Sequence, residues 1–261
     1  MFTRSSDILV EDKREHESYF RNLGEDLQRK VNFGSLFSGI GGLDLGLTRA
    51  GMQCLWQVEN DPYCVRVLEK HWPRVPRHGD IREFDPPDFI PLICGGFPCQ
   101  NLSHANVKTR EGLSGEKSGL WREFVRVIRR AKPRLVIVEN ISTGWLRWVP
   151  TVRYDLAKLG YSSMPIRVSA CDVGAYHERK RVFVIAHSYG HGQPAIAFHE
   201  KMAQLCEATE LSWTDWGHPS SQALGMVDGV PRRMDRLRGV GNAVVPQVAE
   251  QVGRLIIEAS R

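Results

Sequence analysis

Short apolar runs that stop at a glycine or an acidic residue recur along this chain, and they constrain its fold more than any other feature. Such runs begin near Val31, Cys54, Pro91, Leu135 and Val182. Continuous apolar runs are typical of strands buried on both faces, and several stretches between them carry apolar residues at helical spacing. Strands that alternate with helices predict an α/β fold.

The first apolar run leads into a glycine turn. Val31–Phe37 is predicted to be a strand, Ser38–Gly42 a tight turn, and Leu43–Ala50 a helix that stops at Gly51. Glycines at such a turn let the backbone approach a nucleotide-like cofactor closely, as in the first unit of a doubly wound domain. Asp44 stands where the third small residue of a GxGxxG pattern would be, so the glycines alone are weak evidence.

Acidic residues end the next two predicted strands. Glu59 follows Cys54–Val58 and comes twenty positions after Gly39, where a carboxylate would accept hydrogen bonds from ribose hydroxyls. Asp80 and Ile81 end a third short strand. The chain has no GxxxxGK[ST] sequence to cradle phosphates, so a nucleoside carrier with little phosphate is favoured, and S-adenosylmethionine is such a molecule.

Cys99 follows an apolar run and a pair of glycines. Pro91–Ile93 predicts a buried strand, and the glycines at 95 and 96 let the backbone leave it sharply. Open α/β folds place reactive groups on turns at the carboxyl ends of strands. We interpret Cys99 as a nucleophile; the alternative is a small buried hydrophobe, which is the commoner role of a free cysteine.

Two later segments direct charged groups toward the same crevice. Glu139 follows the buried run Leu135–Val138, where a carboxylate is costly to desolvate unless it serves a ligand or partner. Arg179 and Arg181 alternate at the base of the next strand and are predicted to share a face, with His177 beside them. Two guanidiniums there could bind phosphate or a base edge; the alternative is an edge strand with solvated charges.

Composition and charge narrow the class of protein. The 261 residues suit one α/β domain, and the net charge of +5 is compatible with nucleic acid. The apolar runs are too short to cross a bilayer and the first ten residues lack a signal-peptide core, so we expect a cytoplasmic protein without membrane contact. His187, His191, His199 and Cys206 fit no compact zinc pattern, so no metal site is expected.

The chain divides into four expected parts. Residues 1–30 form a charged leader, residues 31–187 the catalytic and cofactor-binding domain, and residues 188–236 a short insert of loops without a sustained period. Residues 237–261 carry an amphipathic helix that starts at Pro246 and returns to the catalytic domain.

In their order, these motifs resemble those of the C5-cytosine DNA methyltransferases. The motifs are Phe37–Gly42, Gly96–Gln100, Glu139–Asn140, Arg179–Arg181 and Gly241–Val244. The resemblance covers roughly residues 31–258, and in its compactness the chain looks like the prokaryotic and phage-associated members. It implies a Rossmann-like class I S-adenosylmethionine-dependent methyltransferase fold: a mostly parallel seven-stranded sheet with an antiparallel seventh strand, plus a small insert.

The resemblance also implies a mechanism. Cys99 would add to carbon 6 of a cytosine flipped out of double-stranded DNA, and carbon 5 would then take the methyl group of S-adenosylmethionine. In a final elimination, a base would remove the carbon 5 proton and the thiol would leave carbon 6. Glu139 would hold and protonate the ring at N3, and Arg181 would contact O2, with Arg179 in the same catalytic set.

Residues for the cofactor and for DNA follow from the same resemblance. The implied cofactor contacts are Phe37, Ser38, Ile40, Gly41, Gly42, Glu59, Asp80, Ile81, Gly96, Pro98, Asn242 and Val244. The implied DNA contacts are Gln100, Ser103, Arg110, Lys117 and His177. Several of the DNA contacts lie in or beside the polar stretch from His104 to Lys117, which is similar to the family's loop that closes over the flipped base.

The chain departs from the family pattern at two places. His177 stands where the family has glutamine, and 188–236 is short for a target-recognition region. A region this short would read a short site, depend on the catalytic loop, or need a recognition partner, and a cognate restriction endonuclease is a further candidate partner. Two other functions stay open. One is a tRNA-cytosine methyltransferase, although Phe97 before Pro98 argues against it; the other is a catalytically silent DNA-binding regulatory module.

Overall fold

The computed structural model describes residues 31–98, 119–189, 195–208 and 233–261, and within them seven strands form one sheet. The strands are β1 (Asn32–Leu36), β2 (Gln53–Val58), β3 (Arg77–His78), β4 (Leu92–Gly96), β5 (Leu135–Ile141), β6 (Tyr161–Val168) and β7 (Arg181–Ser188). Their order across the sheet is β3-β2-β1-β4-β5-β7-β6. Because β7 runs antiparallel to both β5 and β6 while the other pairings are parallel, the predicted fold class and the antiparallel seventh strand are confirmed.

Helices cover both faces of this sheet. They are α1 (Gly42–Arg49), α2 (Pro62–His71), α3 (Gly119–Ala131), α4 (Trp145–Lys158), α5 (Ala195–Ala208), α6 (Arg233–Asn242) and α7 (Pro246–Ala259). Among the described helices, none has the length and apolar character that a bilayer crossing requires.

The central strands are apolar throughout because each face meets its own helices. In β5, Leu135 and Ile137 join the core formed with α1, α5 and α7. The alternate residues Val136 and Val138 join the core formed with α3 and α4. This double burial explains why these strands show continuous apolar runs instead of alternation.

The last helix packs against the first through small residues. A Cβ added to Gly46 would lie 2.3 Å from the Cβ of Ala249, and one added to Gly253 would lie 2.8 Å from the Cβ of Ala50. At Gly42 an added Cβ would lie 2.3 Å from the carbonyl oxygen of Val244. The connection before α7 is therefore brought directly against the glycine turn.

Two helices extend beyond the sequence predictions. The sequence from Leu156 predicts a helix that ends at Gly160, but the observed helix, α4, begins at Trp145 despite Pro150. It does so because Trp148, Val152 and Leu156 are buried in the core. Within the stretch predicted to be a loop-rich insert, α5 forms and buries Phe198 at 0% exposure. The expected leader, 1–30, and much of 188–236 lie outside the described residues.

Candidate active site

A cavity of about 590 Å³ opens at the carboxyl ends of the parallel strands. Its lining includes the last residues of β1, β2, β4 and β5 and the first residue of β7: Leu36, Val58, Gly96, Ile141 and Arg181. Open α/β sheets bind ligands at this edge, where neighbouring loops diverge. The cavity is the place in the described structure at which the predicted motifs can meet.

Glu59 is fixed at the cavity by two backbone donors. The amide of Gly39 donates to its Oε2 at 2.7 Å, and the amide of Asp61 donates to its Oε1 at 2.8 Å. The turn that supplies the first donor has positive φ at Phe37 (54°) and Gly39 (56°). Since a carboxylate has about four acceptor sites, Glu59 keeps acceptor capacity for hydroxyl groups of a ligand.

Asp61 starts α2 and also borders the cavity. Its Oδ1 accepts from the amides of Tyr63 (2.9 Å) and Cys64 (3.1 Å), and Arg238 donates to its Oδ2 at 2.7 Å. Burial alone would raise the pKa of Asp61, but these amides and the guanidinium outweigh it and lower the pKa below its ordinary value. Asp61 therefore carries a negative charge that anchors Arg238 at the rim.

Asp44 lies beneath the glycine turn in a buried hydrogen-bond network. It accepts from Ser35 Oγ at 2.5 Å and from Gln57 Nε2 at 2.7 Å, and Ser38 Oγ donates to Ser35 Oγ at 2.9 Å. Burial raises the pKa of Asp44 to about 6, against the lowering effect of its two side-chain donors. Because Ser35 and Ser38 line the cavity, Asp44 supports its floor, a role that the sequence analysis missed.

The loop after β3 is held in place by α3. Arg126 donates through Nη2 to the carbonyl oxygens of Ile81 (2.6 Å) and Phe84 (2.9 Å). Asp80 meanwhile accepts from the backbone amide of Arg82 at 2.9 Å. These contacts give Asp80 and Ile81 fixed places at one end of the cavity.

Glu139 and Arg181 form a buried ion pair inside the cavity. The distance from Glu139 Oε1 to Arg181 Nε is 3.0 Å, and the two side chains are 8% and 11% exposed. Glu139 Oε1 nevertheless has no aligned hydrogen-bond donor within the described residues, so its contact with Arg181 is ionic. Burial raises the pKa of Glu139 to about 7, although Arg181 and Arg179 both act to lower it.

The backbone just before Cys99 is positioned by its neighbours. Asn140 donates through Nδ2 to the carbonyl oxygen of Phe97 at 3.1 Å, and the Phe97 ring packs against Trp121 and Trp148. Cys99 itself lies outside the described residues, as do the predicted DNA contacts Gln100, Ser103, Arg110 and Lys117.

Many of the predicted cofactor residues line this one cavity. They are Phe37, Ser38, Gly42, Glu59, Asp80, Ile81, Gly96, Pro98, Asn242 and Val244. Ile40 and Gly41 are not in the lining: Ile40 lies beside Gly239, and Gly41 faces Trp72 and Leu68. The structure therefore brings segments from both ends of the chain to one place.

Arg179 and His177 lie away from the lining. His177 is exposed, and Arg179 donates to the carbonyl oxygens of Ala243 (2.7 Å), Gly241 and Val240 (3.4 Å). Of the two arginines, Arg181 lines the cavity and Arg179 does not. Because β7 begins at Arg181, strand alternation does not extend back to Arg179.

Comparison with known proteins shows which family this chain resembles in sequence and fold. The family model described as C-5 cytosine-specific DNA methylase matches residues 31–213. The chain is 30% identical over 162 residues to the type II methyltransferase M.HhaI of Haemophilus parahaemolyticus, covering 59% of this chain and 48% of that protein. It is 32% identical over 181 residues to M.AquIA of Picosynechococcus, covering 60% and 71%.

A third relative, M.NgoFVII of Neisseria gonorrhoeae, is 31% identical over 159 residues, which are 58% of this chain and 42% of that protein. The chain thus spans about half the length of the curated relatives it matches, from 42% to 71% in these three.

Solved structures share the fold. The Entamoeba histolytica methyltransferase EhMeth superposes with a TM-score of 0.64 at 14% identity, over 89% of this chain and 99% of that one. A putative DNA modification methyltransferase encoded within an E. coli prophage gives a TM-score of 0.59 at 19% identity, over 88% and 98%. Since the family model matches more than half of its residues, this chain belongs to the C-5 cytosine-specific DNA methylase family.

Proposed function

We propose that this protein transfers a methyl group from S-adenosylmethionine to carbon 5 of cytosine in DNA, through a covalent adduct between Cys99 and a flipped base. The proposal rests on one observation: the buried Glu139–Arg181 pair lines the same cavity as the glycine turn and Glu59. An acid, a guanidinium and a nucleoside-type pocket in one cavity are what this chemistry requires.

The residues present fit S-adenosylmethionine. Glu59, held by two amides, would accept hydrogen bonds from the ribose hydroxyls, and Asp80 and Ile81 would border the adenine. A Cβ at Gly96 would lie 2.5 Å from Glu139 Oε2, so this glycine leaves room for the Glu139 carboxyl in the cavity lining. When bound, the sulfonium supplies an electrophilic methyl group.

Glu139 and Arg181 would act on the base. With its pKa raised to about 7, Glu139 carries a proton in a substantial fraction of molecules near neutral pH and could donate it to ring N3. Arg181 would face the charge that develops at O2 when the thiolate of Cys99 adds to carbon 6. Asn140 contributes by fixing the Phe97 carbonyl two residues before the nucleophile.

Double-stranded DNA is the proposed substrate, since several relatives carry the name type II methyltransferase. We place the protein in a prokaryotic cytoplasm, as a phage-encoded or cellular enzyme, and propose a cognate restriction endonuclease or a recognition partner beside it. The reason for proposing such a partner is that residues 188–236 are short for a target-recognition region of this family.

The test is transfer of tritium from methyl-labelled S-adenosylmethionine to duplex DNA and, in parallel, to tRNA. Label in DNA alone supports the proposal, and label in tRNA alone would replace it with the tRNA-methylating function. Cofactor binding without transfer to either substrate would favour a silent regulatory module. Bisulfite sequencing of DNA from expressing cells then reports the methylated base and its sequence context.

A further inference from the structure

One wall of the cavity is made by residues 238–244, here called the C-terminal wall. Its members in the lining are Arg238, Gly239, Gly241, Asn242, Ala243 and Val244. The wall contains the end of α6 and the connection to α7, and it lies outside the sheet. Its position therefore depends on contacts from other elements.

Arg179 supplies a dense set of these contacts. Its Nε and Nη2 donate to the carbonyl oxygen of Ala243 at 3.2 and 2.7 Å, and Nη2 also approaches the carbonyl oxygens of Gly241 and Val240. The last carbonyl groups of a helix lack partners within the helix and carry partial negative charge. Arg179 thus caps the carboxyl end of α6 with a cation.

The rest of the wall is anchored on its far side. Arg238 pairs with Asp61 at 2.7 Å, and Gly239 lies against Ile40 and Tyr63. The carbonyl oxygen of Val244 sits over Gly42. Among these anchors, Arg179 lies two residues before Arg181 in the same segment. Arg181 in turn pairs with Glu139.

We propose that Arg179 is a positioning residue that holds the C-terminal wall against the cofactor and thereby sets the affinity for it, while Arg181 acts on the base. The guanidinium fork is essential to this role, because it reaches several carbonyl oxygens at once where a lysine ammonium would act as a single point charge. The inference rests on the proposed function, since it takes S-adenosylmethionine as the occupant of the cavity.

Binding of S-adenosylhomocysteine to the full chain, measured by calorimetry, tests this role without requiring turnover. Arg179→Lys keeps the charge near Glu139 but loses the fork, and we expect its dissociation constant to rise by about tenfold or more, as for loss of charged hydrogen bonds. The matched control is Lys180→Arg, because the Lys180 side chain forms an ion pair with the exposed Glu178, and the affinity of this variant should equal that of the parent.

The alternative role for Arg179 is electrostatic, through its lowering of the Glu139 pKa. In that case Arg179→Lys would bind the ligand like the parent protein, and that result would overturn the inference. If the parent itself fails to bind S-adenosylhomocysteine, the proposed function fails instead, so the two failures are distinguishable.

A second measurement separates a local effect from general loss of structure. Asn242→Ala alters the wall directly, and it is combined with Arg179→Lys in a double-mutant cycle on ligand affinity. Since both substitutions would act through one wall, we expect their effects to be non-additive. Additive effects, or a loss of affinity that only parallels a fall in melting temperature, would contradict a positioning role.

Discussion

Glu139 and Arg181 face each other diagonally across two antiparallel strands, with 3.0 Å between Oε1 and Nε. In the register of β5 and β7, Glu139 pairs with Phe183 and Ile141 pairs with Arg181, so the acid and the guanidinium emerge on the same face. The sheet itself, and not a loop, therefore sets their separation.

Replacement of Glu139 should remove chemistry and spare cofactor binding. In Glu139→Gln the side chain keeps its shape but cannot donate the proton, so single-turnover methyl transfer should fall by about a hundredfold or more. S-adenosylhomocysteine affinity, measured on the same preparation, should change little. The control is Glu178→Gln, which alters an exposed acid. Full activity in Glu139→Gln would show that proton transfer from Glu139 is not part of the mechanism.

The raised pKa of Glu139 predicts a pH-dependent stability. Its value of about 7 exceeds the ordinary 4.5, so the folded state binds this proton more tightly than the unfolded chain. This contribution is complete below about pH 4.5 and is lost as the pH rises through 7. Relative to the parent, Glu139→Gln should therefore gain up to about 3 kcal/mol of unfolding free energy between pH 5 and 8.

Urea unfolding of both proteins at several pH values measures this difference. Asp44, whose pKa is also raised, is present in both and cancels in the comparison. A difference that stays constant with pH would mean that Glu139 is ionised throughout.

The contact between α1 and α7 should be sensitive to a single methyl group. Gly46→Ala places a Cβ 2.3 Å from both the Cβ of Ala249 and the carbonyl oxygen of Pro246, so the helices must separate. We expect a loss of about 1 to 3 kcal/mol in unfolding free energy. Gly119→Ala is the control, since its added Cβ would meet nothing within 4 Å. Equal stability of Gly46→Ala and Gly119→Ala would contradict the close packing of α1 and α7.

Cys99 should be required for transfer and for covalent capture of the base. Cys99→Ser should abolish methyl transfer while it retains S-adenosylhomocysteine binding, because the cofactor contacts lie elsewhere. Duplex DNA with 5-fluorocytosine at the target should trap the parent protein as an adduct stable to denaturing gels, since fluorine blocks the final elimination. An adduct with Cys99→Ser, or activity equal to the parent, would point to another nucleophile.

The sheet was predictable because strands buried on both faces give continuous apolar runs, and turn residues mark where these runs end. The convergence of Phe37–Gly42, Glu59 and Glu139 also followed, since parallel strands end at one edge. Asp44 was not predictable as a support of that edge, because its role depends on Ser35 and Gln57, which come from two different strands.

Contacts distant in sequence explain the remaining differences. Arg179 turns toward Ala243, 64 positions later, and no local pattern encodes that choice. The start of α4 was hidden by Pro150, whose cost in the helix is offset by burial of Trp148 in the core. These features depend on tertiary packing that periodicity alone does not reveal.

The packing of α7 on α1 determines which parts of the fold can form first during translation. The ribosome produces the glycine turn and α1 early, but the groove that α1 offers to Ala249 and Gly253 is filled only after nearly all of the described chain has emerged. A nascent chain thus cannot complete the cavity lined by Asn242 and Val244 until α7 has been synthesised.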